Sequence, residues 1–138
     1  MLRINKKIEY GVLALLYLNA KDDHVASVRE MSRSCAIPVT LLSKIMQSMK
    51  GAGFVQAVHG NQGGYRLAKD LTEINLKELS ETLSGPIQVA QCLEPGNEEC
   101  PARTNCAIIT PMTVLNKKII GLFQATSVDS LVNAKGEV

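Results

Sequence analysis

Apolar residues recur at helical spacing near the start of the chain, and this stripe predicts a first helix over about residues 5–19. Ser27 and Glu30 then have the spacing of a capping box, which predicts that a short second helix begins there. A third helix is predicted after Ile37 and Pro38, with one apolar and one polar face. Its apolar face consists of Leu41, Leu42, Ile45, Met46 and Met49.

Two short strands are predicted after the third helix, at residues 54–58 and 64–68, around a glycine-rich tip. The order of helix, turn, helix and hairpin is typical of a winged helix-turn-helix. A fourth helix is predicted to open at Asn75 and to end at Gly85 and Pro86. The expected fold class is therefore mainly α with a small β-hairpin, and residues 1–85 are the predicted winged helix-turn-helix domain.

A second apolar pattern lies in the last part of the chain. Its members have the spacing of heptad a and d positions: Ile108, Met112, Leu115, Ile119 and Leu122. Such a seam on one long helix needs a partner, and a second copy of the chain is the commonest one. Residues 108–138 are predicted to be a dimerisation helix and C-terminal tail, and residues 86–107 a separate loop. Because Pro111 interrupts the seam, the helix is expected to start near Thr110.

The net charge of +2 hides an asymmetry along the chain. Residues 1–70 hold ten Lys and Arg against five Asp and Glu, whereas the remainder holds five against eight. A basic front half is typical of a protein that binds nucleic acid. The start lacks the pattern of a secretory signal, and no apolar run reaches membrane-spanning length. A cytoplasmic protein without a membrane partner is therefore expected.

Two groups of polar residues are candidates for contact with DNA. The polar face of the third helix consists of Thr40, Ser43, Lys44 and Gln47, whose side chains can bond base edges or phosphate. The hairpin adds His59, Asn61, Gln62, Gly63 and Arg66 as a predicted wing. The alternative interpretation of both groups is an ordinary solvated surface. The glycine-rich tip joins one strand to another strand rather than to a helix, and it lacks the Lys-Ser/Thr ending of a phosphate-binding loop. A nucleotide site is therefore not predicted there.

Three cysteines, Cys92, Cys100 and Cys106, lie in an irregular loop that also carries Pro95 and Pro101. Thiolates on such a segment can wrap around a soft metal or an iron-sulfur cluster. Cysteines of a reducing compartment favour this chemistry over structural disulfides. Their spacing differs from that of zinc fingers and bacterial ferredoxins. A fourth ligand must come from elsewhere, or the site stays open. The remaining cysteine, Cys35, is predicted to be packing on the second helix.

With these features the chain resembles the Rrf-type bacterial regulators over essentially its full length. The resemblance rests on Tyr10 in the apolar first helix, on the wing string of residues 60–67, and on the cysteine loop before the long helix. It implies a homodimer that binds a palindromic operator in double-stranded DNA. It also implies an iron-sulfur cluster, [2Fe-2S] or [4Fe-4S], ligated by the three cysteines of that loop, Cys92, Cys100 and Cys106.

Two departures from known members of this family concern the site. IscR-like members place a histidine ligand three residues after the third cysteine, where this chain has Ile109. NsrR-like members can use an acidic residue of the partner's first helix, and Glu9 lies at about that place. Glu9 is thus the candidate fourth ligand, with a simple surface glutamate as the alternative. IscR also has a glutamate in its reading helix where this chain has Ser43. The DNA sequence that IscR recognises is therefore not expected to be the target of this chain.

The predicted function is a dimeric DNA-binding transcriptional regulator whose DNA affinity is controlled by an iron-sulfur cluster sensing iron, nitric oxide or redox state. One alternative is a cluster-free relative in which the loop binds zinc or switches by thiol oxidation. Another, of a different class, is a small iron-sulfur redox carrier. No enzymatic activity is predicted, because the sequence offers no plausible arrangement of a histidine with a nucleophile and no paired carboxylates on a pocket-forming element.

Overall fold

The structure, a computed structural model, describes residues 3–96 and 100–134. The helices of this part are α1 (Lys6–Ala20), α2 (Val28–Cys35), α3 (Val39–Gly51), α4 (Leu76–Ser84), α5 (Ile109–Ala125) and α6 (Val128–Asn133). The strands are β1 (Val25–Ala26), β2 (Val55–Val58) and β3 (Gly64–Leu67), and short 3-10 turns lie at Leu71–Glu73, Gln91–Leu93 and Arg103–Asn105. Residues 97–99 of the predicted cysteine loop and 135–138 of the predicted tail lie outside the described residues. The mainly helical fold class is confirmed.

Polar side chains cap the starts of four α-helices in the described part of the chain, and for α6 the cap is Ser127. Asn5 accepts a hydrogen bond from the backbone N–H of Lys7 at 2.8 Å, before α1. Ser27 accepts one from Glu30 at 3.1 Å, before α2, and Asn75 accepts one from the third residue of α4 at 2.9 Å. Each bond satisfies an N–H that has no partner inside its helix. The predicted openings of α2 and α4 are therefore confirmed, and α1 is shifted by one residue from its predicted span.

The sheet has three antiparallel strands in the order β1–β3–β2, so the predicted hairpin is its larger part. The additional strand, β1, pairs with β3 through Val25 opposite Arg66 and Ala26 opposite Tyr65. Two residues are too few to show an alternating pattern, and the sequence therefore did not predict β1. A Cβ atom at Gly64 would lie 2.2 Å from the carbonyl oxygen of Ala26, so the close approach of β1 requires glycine there.

The apolar core lies between α1, α2, α3, α4 and the sheet. Its fully buried members include Leu15, Leu18, Met31, Ile37, Leu42, Met46, Met49, Leu71, Ile74 and Leu79. The predicted apolar face of α3 is buried, except that Leu41 is half-buried. A Cβ atom at Gly11 would lie 2.5 Å from the Leu83 side chain, which shows how closely α1 and α4 approach each other. The core thus fixes α3 with its polar face outward.

The last part of the chain differs from its prediction in two details. Helix α5 begins at Ile109, and Pro111 falls in its first turn, where backbone N–H groups have no intrahelical acceptor. Helix α5 ends at Ala125, and α6 then returns to the winged helix-turn-helix instead of forming a simple tail. Val128 is fully buried, and its N–H donates to the carbonyl of Ile74 at 2.8 Å.

Among the described residues, no helix combines the length and the apolar character that crossing a bilayer requires.

Candidate nucleic-acid interface and cysteine segment

The polar face of α3 is the outer surface of the helix. Thr40, Lys44 and Gln47 are exposed and Ser43 is half-buried. Helix α3 contains no acidic residue, and in residues 3–96 and 100–134 no ion pair engages Lys44. The face therefore offers an uncompensated cation beside hydroxyl and amide groups, which suits phosphate and base edges.

Gln47 also has a structural contact that sequence reasoning missed. Its Nε2 donates a hydrogen bond of 2.9 Å to the hydroxyl of Tyr65, a residue of β3 that is 9% exposed. This bond ties the outer face of α3 to the central strand of the sheet. Gln47 therefore positions α3 against the predicted wing, and part of its hydrogen-bonding capacity is already used.

The predicted wing projects from the ends of β2 and β3. Its side chains His59, Asn61, Gln62 and Arg66 are exposed, whereas Gly63 is half-buried. A Cβ atom at Gly63 would lie 2.4 Å from the carbonyl oxygen of Val58. Gly63 thus sets the shape of the tip, while its neighbours supply the side chains.

The base of the wing is held beside the start of α2. Lys21 contacts Glu30 at 2.8 Å and donates to the carbonyl of Val25 at 2.7 Å. The hydrogen bond to Glu30 raises the pKa of the Lys21 amine. Asn61 and Gln62 line the shallow hollow next to this pair. Because Lys21 and Glu30 neutralise each other, the positive charge near DNA must come from other residues.

Two arginines of α2 were missed as candidates. Arg29 and Arg33 are exposed on α2, which packs against α3, and within the described part of the chain neither has an ion-pair partner. In helix-turn-helix proteins the first helix crosses the phosphate backbone. In the sequence, both arginines lie on the polar side of the short second helix, and this cationic side indicated a possible contact with phosphate.

The three cysteines of the loop are free thiols on irregular chain. Cys92 lies in the 3-10 turn Gln91–Leu93 and is half-buried; Cys106 follows the turn Arg103–Asn105 and is also half-buried. Cys100 is exposed. Cys35 lies apart from them on α2, where burial raises the pKa of its thiol. The first three thus share one segment, and Cys35 packs beside the core as predicted.

The structure does not gather this trio into a finished site. Considering residues 3–96 and 100–134, it contains no group of three or more His, Cys, Asp or Glu side chains that could hold a metal ion. Glu9 instead forms an exposed ion pair with Lys6 at 2.8 Å, and their hydrogen bond raises the pKa of Lys6. Cysteine thiolates are the usual ligands of iron-sulfur clusters. Cys92, Cys100 and Cys106 therefore have the right donor atoms for such a cluster, and binding it would bring their sulfur atoms together.

A buried asparagine connects this segment to α5. Asn116 is the one buried residue of α5, with 8% of its surface exposed. Its Oδ1 accepts a hydrogen bond from the backbone N–H of Val89 at 2.9 Å, and its Nδ2 donates to the Oε1 of Gln88 at 3.3 Å. Residues three and four positions before Cys92 are therefore tied to α5. The signal in the sequence was an asparagine at the centre of a helix composed largely of apolar and basic residues.

The predicted heptad seam of α5 remains largely uncovered in the single chain. Ile108, Leu115 and Leu122 are 60%, 43% and 64% exposed, while Met112 and Ile119 are half-buried. Val114 adds a further exposed apolar side chain at 48%. Contiguous exposed apolar surface of this kind marks a protein-protein contact.

Comparison with known protein families matches residues 4–134 to Rrf2, described as an iron-dependent transcriptional regulator. The protein aau3 of Rhizobium meliloti is 27% identical over 137 residues, which cover 99% of this chain and 89% of that protein. The transcriptional regulator IscR of Photorhabdus laumondii is 27% identical over 134 residues, covering 96% and 80%. The solved structure of CymR, the global cysteine regulator of B. subtilis, is similar with a TM-score of 0.72 at 20% identity, covering 99% of this chain and 100% of the solved CymR chain. The structural likeness extends over both the winged helix-turn-helix and α5.

Proposed function

The chain belongs to the Rrf2 family of transcriptional regulators, and on this premise we propose that it is a cytoplasmic homodimer whose affinity for operator DNA is controlled by an iron-sulfur cluster. One observation carries the proposal. Three free thiols share a segment that is hydrogen-bonded to α5, the helix whose apolar seam is uncovered in a single chain. The family makes the chain a regulator, which excludes the electron-carrier alternative and an enzymatic role.

In this proposal α3 enters the major groove. Thr40, Ser43 and Lys44 face base edges and phosphate, because the opposite face of the helix is fixed in the core. Gln47 contributes in part, since its amide nitrogen also holds Tyr65. The wing side chains His59, Asn61, Gln62 and Arg66 contact the neighbouring backbone or minor groove. Gly63 allows the tip to adopt its shape.

The uncovered seam of α5 supports the proposed homodimer. Burying Ile108, Leu115 and Leu122 against the same surface of a second copy removes apolar area from water in a two-fold arrangement. Two reading helices related by a two-fold axis recognise a palindromic operator, with half-sites spaced by the distance between the two α3 helices. The dimer therefore sets the spacing of the operator.

The proposed cluster ligands are Cys92, Cys100 and Cys106 of one chain, with Glu9 of the second copy as the fourth. Glu9 is exposed and forms a surface ion pair with Lys6, which contributes little and can be exchanged for a stronger ligand interaction. When bound, the cluster would supply a centre that responds to oxygen, nitric oxide and iron supply. Both [2Fe-2S] and [4Fe-4S] fit this donor set.

The chain's own residues provide a route from the segment to the DNA-binding surface. Residues 88–89 follow α4 after three intervening residues and are bonded to Asn116, so a rearrangement of the cysteine segment acts on α5 at that point. Helix α5 also packs against α4, which is part of the core that fixes α3. A change at the cysteines thereby biases the separation of the two reading helices.

Anaerobic purification tests the ligand assignment. The parent protein is expected to bind iron and sulfide and to show visible absorption, whereas the variant with alanine at Cys92, Cys100 and Cys106 should show neither. Cys35→Ala is the matched control, because this cysteine lies outside the segment, and it should retain both. Glu9→Gln is expected to bind a more labile cluster. An unchanged spectrum in the triple variant would exclude the ligand assignment.

DNA binding is tested with duplexes selected from a random library, in a gel-shift series across salt concentrations. Lys44→Gln is expected to weaken binding and, if the lysine contacts phosphate, to reduce the salt slope by about one. Lys118→Gln on α5 removes an equal charge outside the proposed interface and should leave the slope unchanged. Equal effects of the two substitutions would contradict the assignment of α3.

A thiol switch without a cluster is the second candidate, favoured by the exposed Cys100 and by the ungathered trio. In that case peroxide oxidises two thiols to a disulfide and is reduced to water. Titration of free thiols before and after peroxide, on protein shown to contain neither iron nor zinc, distinguishes this candidate. DNA affinity that changes with the disulfide and is insensitive to iron reconstitution would favour it over the cluster.

A further inference from the structure

One apolar side chain of α3 lies on the surface. Val39 is the first residue of this helix and is 47% exposed. The other large apolar side chains of α3, from Leu41 to Met49, are buried or half-buried. In the described part of the chain, Val39 is not among the side chains that pack against the core. The core therefore does not explain why an apolar residue stands at this position.

The turn between α2 and α3 fixes where Val39 lies. Ile37, two residues earlier, is 2% exposed, and its carbonyl accepts a hydrogen bond from the Ser32 hydroxyl at 2.5 Å. On the other side, the N–H of the fully buried Leu42 donates to the carbonyl of Pro38 at 2.9 Å. Buried residues on both sides thus hold Val39 at the surface.

Val39 borders the polar face of α3. Residues four positions apart are neighbours on a helix surface, so Val39 lies next to Ser43, and Thr40 follows it directly in the chain. In helix-turn-helix proteins the N-terminal residues of the second helix contact base edges. When the polar face with Lys44 enters the major groove, Val39 therefore enters with it.

The chemistry of valine limits what it can recognise there. Its side chain has no hydrogen-bond donor or acceptor, so it cannot bond the polar edges of the bases. The apolar group that base pairs present in the major groove is the C5-methyl group of thymine. Contact between this methyl group and Val39 removes apolar surface from water on both molecules.

We propose that Val39 contacts the C5-methyl group of one thymine in each half-site and so makes the operator specific for a T·A pair at that position. This inference rests on the proposed function, because it requires α3 in the major groove. It adds a specificity residue that the hydrogen-bonding face of α3 does not include, and it defines a base that the operator must contain.

Deoxyuridine tests the proposal, because it pairs like thymidine and lacks only the C5-methyl group. Duplexes are first selected from a random library with the full-length protein, purified anaerobically and also after removal of iron, and the state that binds more tightly is used. Thymines are then replaced by deoxyuridine, one symmetric pair at a time. At one position the affinity of the parent protein should fall about three- to fivefold per half-site.

Variants at Val39 connect this loss to the side chain. Val39→Ala should weaken binding to the thymine operator by a similar factor and should no longer respond to deoxyuridine at that position. Its thermal midpoint should stay close to that of the parent, because the side chain is exposed. Val39→Ile keeps an apolar side chain and should keep the response. Val132→Ala on α6, where the valine is 45% exposed, is the matched control and should behave like the parent.

Three results would overturn the thymine contact: selected half-sites without a thymine, parent affinity unchanged by deoxyuridine at every position, or a full response to deoxyuridine in Val39→Ala. In each of these cases the protein still binds DNA, so the proposed function stands. A parent protein that binds no duplex at any salt concentration, with and without iron, would contradict the proposed function and this inference together.

Discussion

Two regions of this molecule obtain their structure in different ways. The first is the head, residues 3–85, which contains every apolar core residue except Val128. The second is the arm, defined as residues 86–96 and 100–125, in which Asn116 is the one buried residue. The head therefore completes its core within one chain, whereas every apolar side chain of the arm is only half-buried or exposed.

Because of this difference, we expect the head to provide stability and the arm to provide regulation. The head holds α3 rigidly, since the apolar face of that helix is buried and its outer face is bonded to Tyr65. The arm has free thiols, irregular turns and an uncovered seam. A region with little burial opens and rearranges at low free-energy cost, and elements that move in regulation are drawn from such regions. The proposed function matches this division, with signal detection in the arm and DNA reading in the head.

The largest expected effect is in the core of the head. Leu15→Ala removes a fully buried side chain of α1, and we expect the free energy of unfolding to fall by about 2–5 kcal/mol. Leu13→Ala, on the same helix but 41% exposed, should cost less than about 1 kcal/mol. Urea unfolding followed by circular dichroism measures both. If both substitutions lowered the free energy of unfolding by similar amounts, the buried core of the head would not be its main source of stability.

The next effect concerns the seam of the arm. Leu122→Lys places a charge at a side chain that is 64% exposed in the single chain and buried in the proposed dimer. We expect dimer affinity to fall roughly a hundredfold, or about 2.8 kcal/mol, with little change in the helical content of the head. Analytical ultracentrifugation gives the dissociation constant. Gln124→Lys adds the same charge to α5 outside the seam, and a comparable loss there would contradict the predicted interface.

A smaller effect is expected within the arm, where the segment before Cys92 is bonded to α5. Asn116→Ala leaves the Val89 N–H without its acceptor, at a cost of about 1–3 kcal/mol. Hydrogen exchange of the Val89 amide should accelerate, and the response of DNA affinity to the state of the cysteines should weaken. Gln124→Ala on the same helix serves as the control, with Val89 protection expected to persist. Unchanged exchange in Asn116→Ala would show that this bond does not hold the segment.

The smallest effect lies in a surface turn of the head. Asp70 accepts hydrogen bonds from the N–H and hydroxyl of Thr72, and these lower the pKa of its carboxyl group. A lowered pKa in the folded chain means that the contribution to stability is present above the unfolded pKa. It is lost as pH falls through the folded pKa. Asp70→Asn keeps an acceptor but cannot titrate, so the stabilities of parent and variant should differ at neutral pH and converge in acid. A stability difference between parent and variant that does not change with pH would contradict the stabilising role of the Asp70 carboxylate.

Sequence patterns predicted the head well because its elements follow short-range rules. Ser27 and Asn75 cap their helices through residues three positions away. The stripe of α3 fixes its outer face through the helical period alone, so the spacing of residues was enough to place the candidates Thr40 and Lys44 on that face. Strand β1 was missed because its pairing with β3 depends on residues about forty positions away. The contact between Gln47 and Tyr65 was missed for the same reason.

The sequence by itself determined helices α1 to α5, the hairpin, the seam of α5 and the set of three thiols, since spacing and residue type are local properties. Tertiary structure decided which groups meet. It placed Asn116 against Val89, buried the Ser80 hydroxyl, and returned α6 to the core through Val128. These contacts join residues far apart in the chain, and burial, which converts an ordinary polar side chain into a costly or useful one, exists only once the chain has folded.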